Sequence, residues 1–74
     1  MNLAELKPGK QGTIIELDKN STFKTKVSSL GIRIGKKVKV LSKQPFKGPM
    51  IIEIDNMKAA LGRNMAKKII LETE

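Results

Sequence analysis

The chain contains no cysteine, histidine, tryptophan or tyrosine. Without cysteine there is no disulfide framework, and without cysteine or histidine an ordinary zinc site lacks its usual donors. The same absences remove the thiolate nucleophile and the imidazole base of most familiar catalytic constellations, so an enzyme is not expected. Long apolar runs are missing too: none exceeds three residues, against roughly 20 for a membrane-spanning helix. The start, Met1-Asn2-Leu3-Ala4-Glu5, lacks the charged-then-apolar plan of a secretory leader. A soluble, cytoplasmic protein is expected. At 74 residues it should form a single domain over 1–74, burying only about 60% of the surface its unfolded chain exposes.

Acid is also missing, over one long stretch. From Lys19 to Ile52 there is no Asp or Glu, while Lys19, Lys24, Lys26, Arg33, Lys36, Lys37, Lys39, Lys43 and Lys47 all fall inside it. The seven acids, Glu5, Glu16, Asp18, Glu53, Asp55, Glu72 and Glu74, lie outside, and the net charge is +8. Such a span either attracts an anionic partner or is a solvated lysine surface that keeps a small domain soluble. Nucleic acid is the alternative partner, but only Phe23 and Phe46 are available for stacking on bases. Metal ligation has little material. Glu16 with Asp18, and Glu53 with Asp55, are the near pairs, and each reads first as exposed strand-edge carboxylates, so no metal ligand is assigned.

What is present is a clear order of elements. Leu3 to Leu6 can make one turn, broken by Pro8-Gly9. Gln11 to Leu17 reads as a strand, with Thr13, Ile15 and Leu17 on one face, Ile14 on the other, and Gly12 as a bulge or a close approach. Asn20 or Ser21 can cap a helix over Thr22 to Leu30, whose stripe is Phe23, Val27 and Leu30. Gly31 suits the left-handed end of that helix. Gly35 then turns the chain into Lys37 to Ser42, with Val38 and Val40 inward. A breaker-rich loop, Lys43 to Pro49, leads to a strand over Met50 to Asp55, with Met50, Ile52 and Ile54 on one face. Basic positions on the first of these strands can pair with acidic ones on the second. Asp55-Asn56 reads as a tight hairpin turn and Met57 to Leu61 as a further strand. The remainder fits either one long helix through Met57, Leu61, Met65 and Ile69, or a turn at Arg63 to Ala66 followed by a strand. Gly62 and the β-branched Ile69-Ile70 favour the strand. The fold class is mainly β, a small five-stranded SH3-like barrel with one short α-helix capping an end.

These residues in this order resemble the FeoA family. The segments that carry the resemblance are Leu3-Ala4-Glu5-Leu6-Lys7-Pro8-Gly9, Leu30-Gly31, Gly35 and Val38-Lys39-Val40. They continue through Pro45, Gly48-Pro49, Ile52-Glu53-Ile54, Ala60-Leu61-Gly62-Arg63, Ala66 and Ile69-Ile70-Leu71. Leu30, Gly31, Gly35, Pro45, Gly48, Pro49 and Leu61 form the structural motif. Ile34 departs from it, since the family usually places Pro before Gly35, and that change should loosen the corner. The resemblance implies a cytoplasmic accessory of ferrous iron transport that docks to a FeoB-type GTP-binding membrane transporter, with a metal-binding label and no cofactor. Partner-binding candidates are Arg33, Lys36, Lys37, Lys39, Lys43 and Lys47, together with Phe46, which either contacts the partner or folds back over the barrel mouth. A domain detached from an iron-dependent repressor is a further reading, weakened because no helix-turn-helix precedes the barrel.

Overall fold

The computed structural model describes residues 1–73, so Glu74, one of the seven acids counted above, lies outside the described residues. A 3-10 turn at Leu3–Glu5 precedes strand β1 (Gln11–Leu17) and helix α1 (Ser21–Ser28). Then come β2 (Lys37–Lys43), β3 (Met50–Ile54), β4 (Met57–Leu61), a single turn of helix α2 (Arg63–Ala66) and β5 (Ile69–Thr73). The strands form one antiparallel sheet in the order β4-β3-β2-β1-β5. The long-helix alternative for the C-terminal third is not what forms. Gly62 is extended and opens α2, and Met57, which a helix would have to bury, is 73% exposed.

The core follows the apolar periodicity. Val38 and Val40 from β2, and Met50, Ile52 and Ile54 from β3, are buried, and Leu61, Ile69 and Leu71 join them. Leu3 and Leu6 close the near side, and Phe23 and Val27 of α1 close another. Met1 and Asn2 run along β5: Leu71 N–H donates to the Met1 carbonyl at 2.8 Å, and Asn2 bridges Ile70. This partly covers one sheet edge. Lys58 stands on β4, the other edge, where a charge discourages pairing with a further chain.

Period two fails in β1, and the reason is a bulge. Ile14 pairs with Leu71 but Glu16 with Ile70, so Ile15 is an extra residue with no opposite number. Ile14 lies opposite Thr13 and Ile15 as expected and is buried, but the bulge carries Leu17 off their face: Leu17 packs partly buried against the core while Ile15 is 46% exposed. A second bulge at Leu41 in β2 bends that strand against β3. Gly12 is a close approach, since a Cβ there would meet the Glu72 carbonyl oxygen at 3.2 Å.

The helix stripe also needs correction. Asn20 is the cap, accepting from Phe23 N–H at 3.0 Å, but α1 ends at Ser28 and Leu30 is left 37% exposed. Ile32 N–H reaches back to the Val27 carbonyl and Gly31 N–H to the Ser28 carbonyl, each at 3.0 Å. With Gly31 at φ +83° this is a Schellman end, and its apolar contact joins Val27 to Ile32. Ile32, buried, takes the place expected for Leu30.

Tight turns do the rest. Pro8-Gly9 and Ile34-Gly35 are turns of one kind: the second residue has positive φ, and the turn closes through Lys10 N–H to the Lys7 carbonyl and Lys36 N–H to the Arg33 carbonyl. That is type II geometry, which requires glycine at the second central position and favours proline at the first. Each glycine N–H then docks on the sheet at 2.7 Å, Gly9 on the Val40 carbonyl and Gly35 on the Ile14 carbonyl. The corner at Gly35 is thus pinned to β1 even with isoleucine before it.

Candidate partner-binding surface

The acid-free basic span does not fold into one patch. Lys37 and Lys43 stand at opposite ends of β2, six residues and about 20 Å apart at the rise of a strand. At the corner end, Lys36, Lys37 and Lys39 line a shallow depression with Gln11, Glu53, Asp55 and Asn56. Arg33 lies exposed in the turn just before it. The acids are there because β3 runs beside β2, so that Lys39 falls opposite Glu53 in the ladder. Lys36 Nζ donates to Asp55 Oδ2 at 2.9 Å. Both groups are well solvated, so the pair contributes at most about 1 kcal/mol. This ion pair joins a turn lysine to a turn aspartate, outside the strand positions for which pairing was expected.

At the other end of β2, Lys43 is partly withdrawn from solvent. Its Nζ donates to the Ala4 carbonyl at 2.7 Å. Burial, and secondarily the Arg63 guanidinium, hold its pKa below the ordinary lysine value. A lysine so engaged pins the N-terminal turn to the sheet and is not a free docking charge. Next to it the chain makes the tip of the β2–β3 hairpin. Gly48 N–H closes a turn onto the Pro45 carbonyl at 3.1 Å, and Gln44 N–H pairs with the Pro49 carbonyl at 3.1 Å. Phe46 and Lys47, the two central residues, have φ of 58° and 60°. This is a type I′ turn, whose positive φ at both central positions normally selects Asn and Gly. Phe46 is 100% exposed, so it does not fold back over the barrel mouth. The other two-residue hairpin turn, Asp55-Asn56, has the same geometry with residues that tolerate it.

Two basic residues outside the predicted set share this end of the molecule. Arg63 Nη2 donates to the Gln44 carbonyl at 2.9 Å, tying α2 to the base of the hairpin. Lys67 lies one turn on and lines the same cavity as Arg63 and Lys47. Their spacing of four was the available signal, because i and i+4 share a face as soon as that segment is helical. Among the described residues no three acids come together. Asp55 is engaged by Lys36, and Asp18 Oδ1 accepts from Asn20 N–H at 2.9 Å.

A five-stranded antiparallel sheet bent by two bulges, with a short helix over one end, defines a small SH3-like barrel protein. Its relatives agree. The FeoA domain model matches residues 1–73, and the chain belongs to that family. It is 36% identical over 70 residues to a protein of Methanocaldococcus jannaschii that carries the assigned name Fe(2+) transport protein A, covering 95% of this chain and 83% of that one. The crystal structure of an iron uptake regulatory protein, FeoA, superposes with a TM-score of 0.91 at 24% identity, over 100% of this chain and 96% of the other. The Stenotrophomonas maltophilia FeoA, solved in complex with zinc and described as a procaryotic SH3 domain protein, gives 0.77 at 22% identity, over 97% and 89%. At those identities the two solved structures establish the fold.

Proposed function

We propose that this chain is a non-catalytic, cytoplasmic accessory of ferrous iron transport that acts by docking to a FeoB-type GTP-binding membrane transporter. Family membership supports the transport context. The observation that carries docking is Phe46: a fully exposed aromatic side chain on a backbone conformation that phenylalanine rarely adopts. Non-glycine residues in the left-handed region cost of order 1–3 kcal/mol each and persist where surroundings or function demand them. No core contact rewards Phe46, so a partner's apolar pocket is the reward this reading supplies. Aromatic anchors of this kind dominate interface energetics, while surrounding charges set encounter rate. In this reading Phe46 is the anchor and Lys47 flanks it. Arg33, Lys36, Lys37 and Lys39 steer from the corner. Lys43 acts structurally, and the iron passes through the transporter as its cargo.

The test is retention of this chain on the immobilised cytoplasmic domain of a FeoB-type transporter in apo, GDP-bound and GTP-analogue states. Retention in at least one state, lost in Phe46→Ser, is expected. Absence of retention in all three overturns the docking reading.

A further inference from the structure

We propose that the free edge of β4 takes up an extended, acidic segment of another protein as a further strand of the sheet. β4 is the last strand on its side, and β3 is its one neighbour. The two-residue Asp55-Asn56 turn makes Ile54 and Met57 the closing hydrogen-bonded pair, so Ile52 with Ala59 and Met50 with Leu61 follow in the same phase. Lys58 and Ala60 therefore direct their N–H and C=O groups away from β3. Both residues are exposed, and no backbone group among the described residues bonds to them from that side. Two donors and two acceptors thus stand in the phase that an added strand needs. The opposite edge differs, since Met1 and Asn2 run along β5.

The register specifies the side chains that such a strand must bring. On the outer face Lys39, Glu53 and Lys58 form a row across β2, β3 and β4, each opposite the next. The signs alternate, and the row ends at the edge on a lysine, with one carboxylate between two cations. A carboxylate on the next strand continues the alternation, whereas a cation there would face Lys58 directly. On the inner face the row is Val40, Ile52 and Ala59. It leads to a groove of about 310 Å³ between β4 and the end of α1, where Leu30, Ile54, Met57 and Ala59 supply apolar wall. Leu30 and Met57 are exposed, and Asp55 on the rim is paired with Lys36. Neighbours in a strand point to opposite faces, so apolar residues flanking the carboxylate would lie over this groove. Lys58 guards the edge against like-charged strands, and at a net charge of +8 that includes a second copy of this chain. An acidic strand meets no such barrier.

Binding at β4 is independent of docking through Phe46, and a peptide tests it with no transporter present. The experiment titrates the full chain with an acetylated, amidated heptapeptide of alternating valine and glutamate, following backbone amides and their hydrogen exchange by NMR. Saturable binding is expected. At nine-tenths occupancy exchange at Lys58 and Ala60 N–H should slow about tenfold, because only the free tenth exchanges. Met57, Ala59 and Leu61, already bonded to β3, should change little. The same peptide with lysine in place of glutamate should not bind. Lys58→Gln should weaken the glutamate peptide about two- to fivefold, and Lys58→Glu should reverse the preference between the two peptides. Met57→Ser should weaken binding several-fold by removing apolar wall. Both positions are exposed, and the amide spectrum verifies that each variant is folded. Sedimentation of the chain without peptide should show a monomer. A dimer with Lys58 and Ala60 already protected assigns the edge to a second copy and overturns the proposal. Unsaturable binding, equal affinity for the two peptides, or protection confined to residues outside β4 overturns it as well.

Discussion

Ile34 occupies the first central position of a tight turn that Pro8 makes elsewhere in the same chain. Its side chain is 64% exposed, so it contributes little to the core. Its N–H makes no backbone hydrogen bond among the described residues. Proline at that position removes unfolded-state freedom without disturbing a native bond, so Ile34→Pro should raise stability by about 0.4–1 kcal/mol. Thermal unfolding by circular dichroism measures it, and a lower midpoint would show that the turn is not type II in solution. The loosening expected from the sequence is thus confined to the unfolded chain, since Gly35 still docks on Ile14. Lys43 carries a second residue-scale prediction. Its folded-state pKa is lowered, by burial first and Arg63 second, so near that pKa the unfolded chain binds more protons than the folded one. Stability must then rise with pH on the alkaline side, up to the ordinary lysine value. Urea unfolding from pH 8 upward should show that rise in the native chain, and a flatter profile in Lys43→Met. None of this is written at position 43 itself. Burial of that lysine arises from the N-terminal turn, thirty-nine residues away in sequence, folding over it.

At the scale of elements, what was legible is what local periodicity and capping chemistry encode. The alternation in Lys37 to Val40 and Met50 to Ile54, the Asn20 cap, Gly31 at the helix end and the Asp55-Asn56 hairpin all needed only neighbours in sequence. Leu17 was placed on the wrong face of β1 because a bulge depends on the partner strand: nothing in Thr13-Ile14-Ile15-Glu16 says that β5 skips a residue. The third residue of the α1 stripe was misplaced because the Schellman end carries the chain on to Ile32, which buries itself where a continued helix would have put Leu30. The β2–β3 hairpin is the element whose sequence and conformation disagree most. Phe46-Lys47 sits in a type I′ turn, and replacing the pair by Asn-Gly should stabilise the protein by about 1–2 kcal/mol. The same change should abolish retention on the transporter domain. Equilibrium unfolding and the binding measurement together decide it: stability gained with docking intact would leave Phe46 without a function in binding.

Over the whole molecule, charge was the most visible feature of the sequence and the one whose arrangement was least legible. The run without acid suggested a positive surface, but antiparallel pairing sets Glu53 and Asp55 beside the corner lysines, and β2 carries Lys37 and Lys43 to opposite ends. A nucleic-acid backbone would need a continuous track of cations, whereas a protein partner can be met by an anchor at one end and a steering charge at the other. The two predict different kinetics. For docking, reversing charge at Arg33 and Lys39 together should lower the association rate several-fold at low salt and leave dissociation nearly unchanged. Phe46→Ser should do the opposite, since loss of a desolvated anchor acts on dissociation. Raising the salt should erase the first difference and preserve the second, because exposed charges are screened beyond about 8–10 Å while an apolar contact is not. For nucleic acid, affinity itself would fall steeply with salt and both variants would weaken it in proportion to the phosphates they contact. Stopped-flow association against the transporter domain at two salt concentrations, with duplex DNA as the competing ligand, separates the two behaviours. Parallel loss of affinity for DNA in the charge-reversed chain, with no kinetic change toward the transporter domain, would reassign the basic corner from steering to nucleic-acid contact.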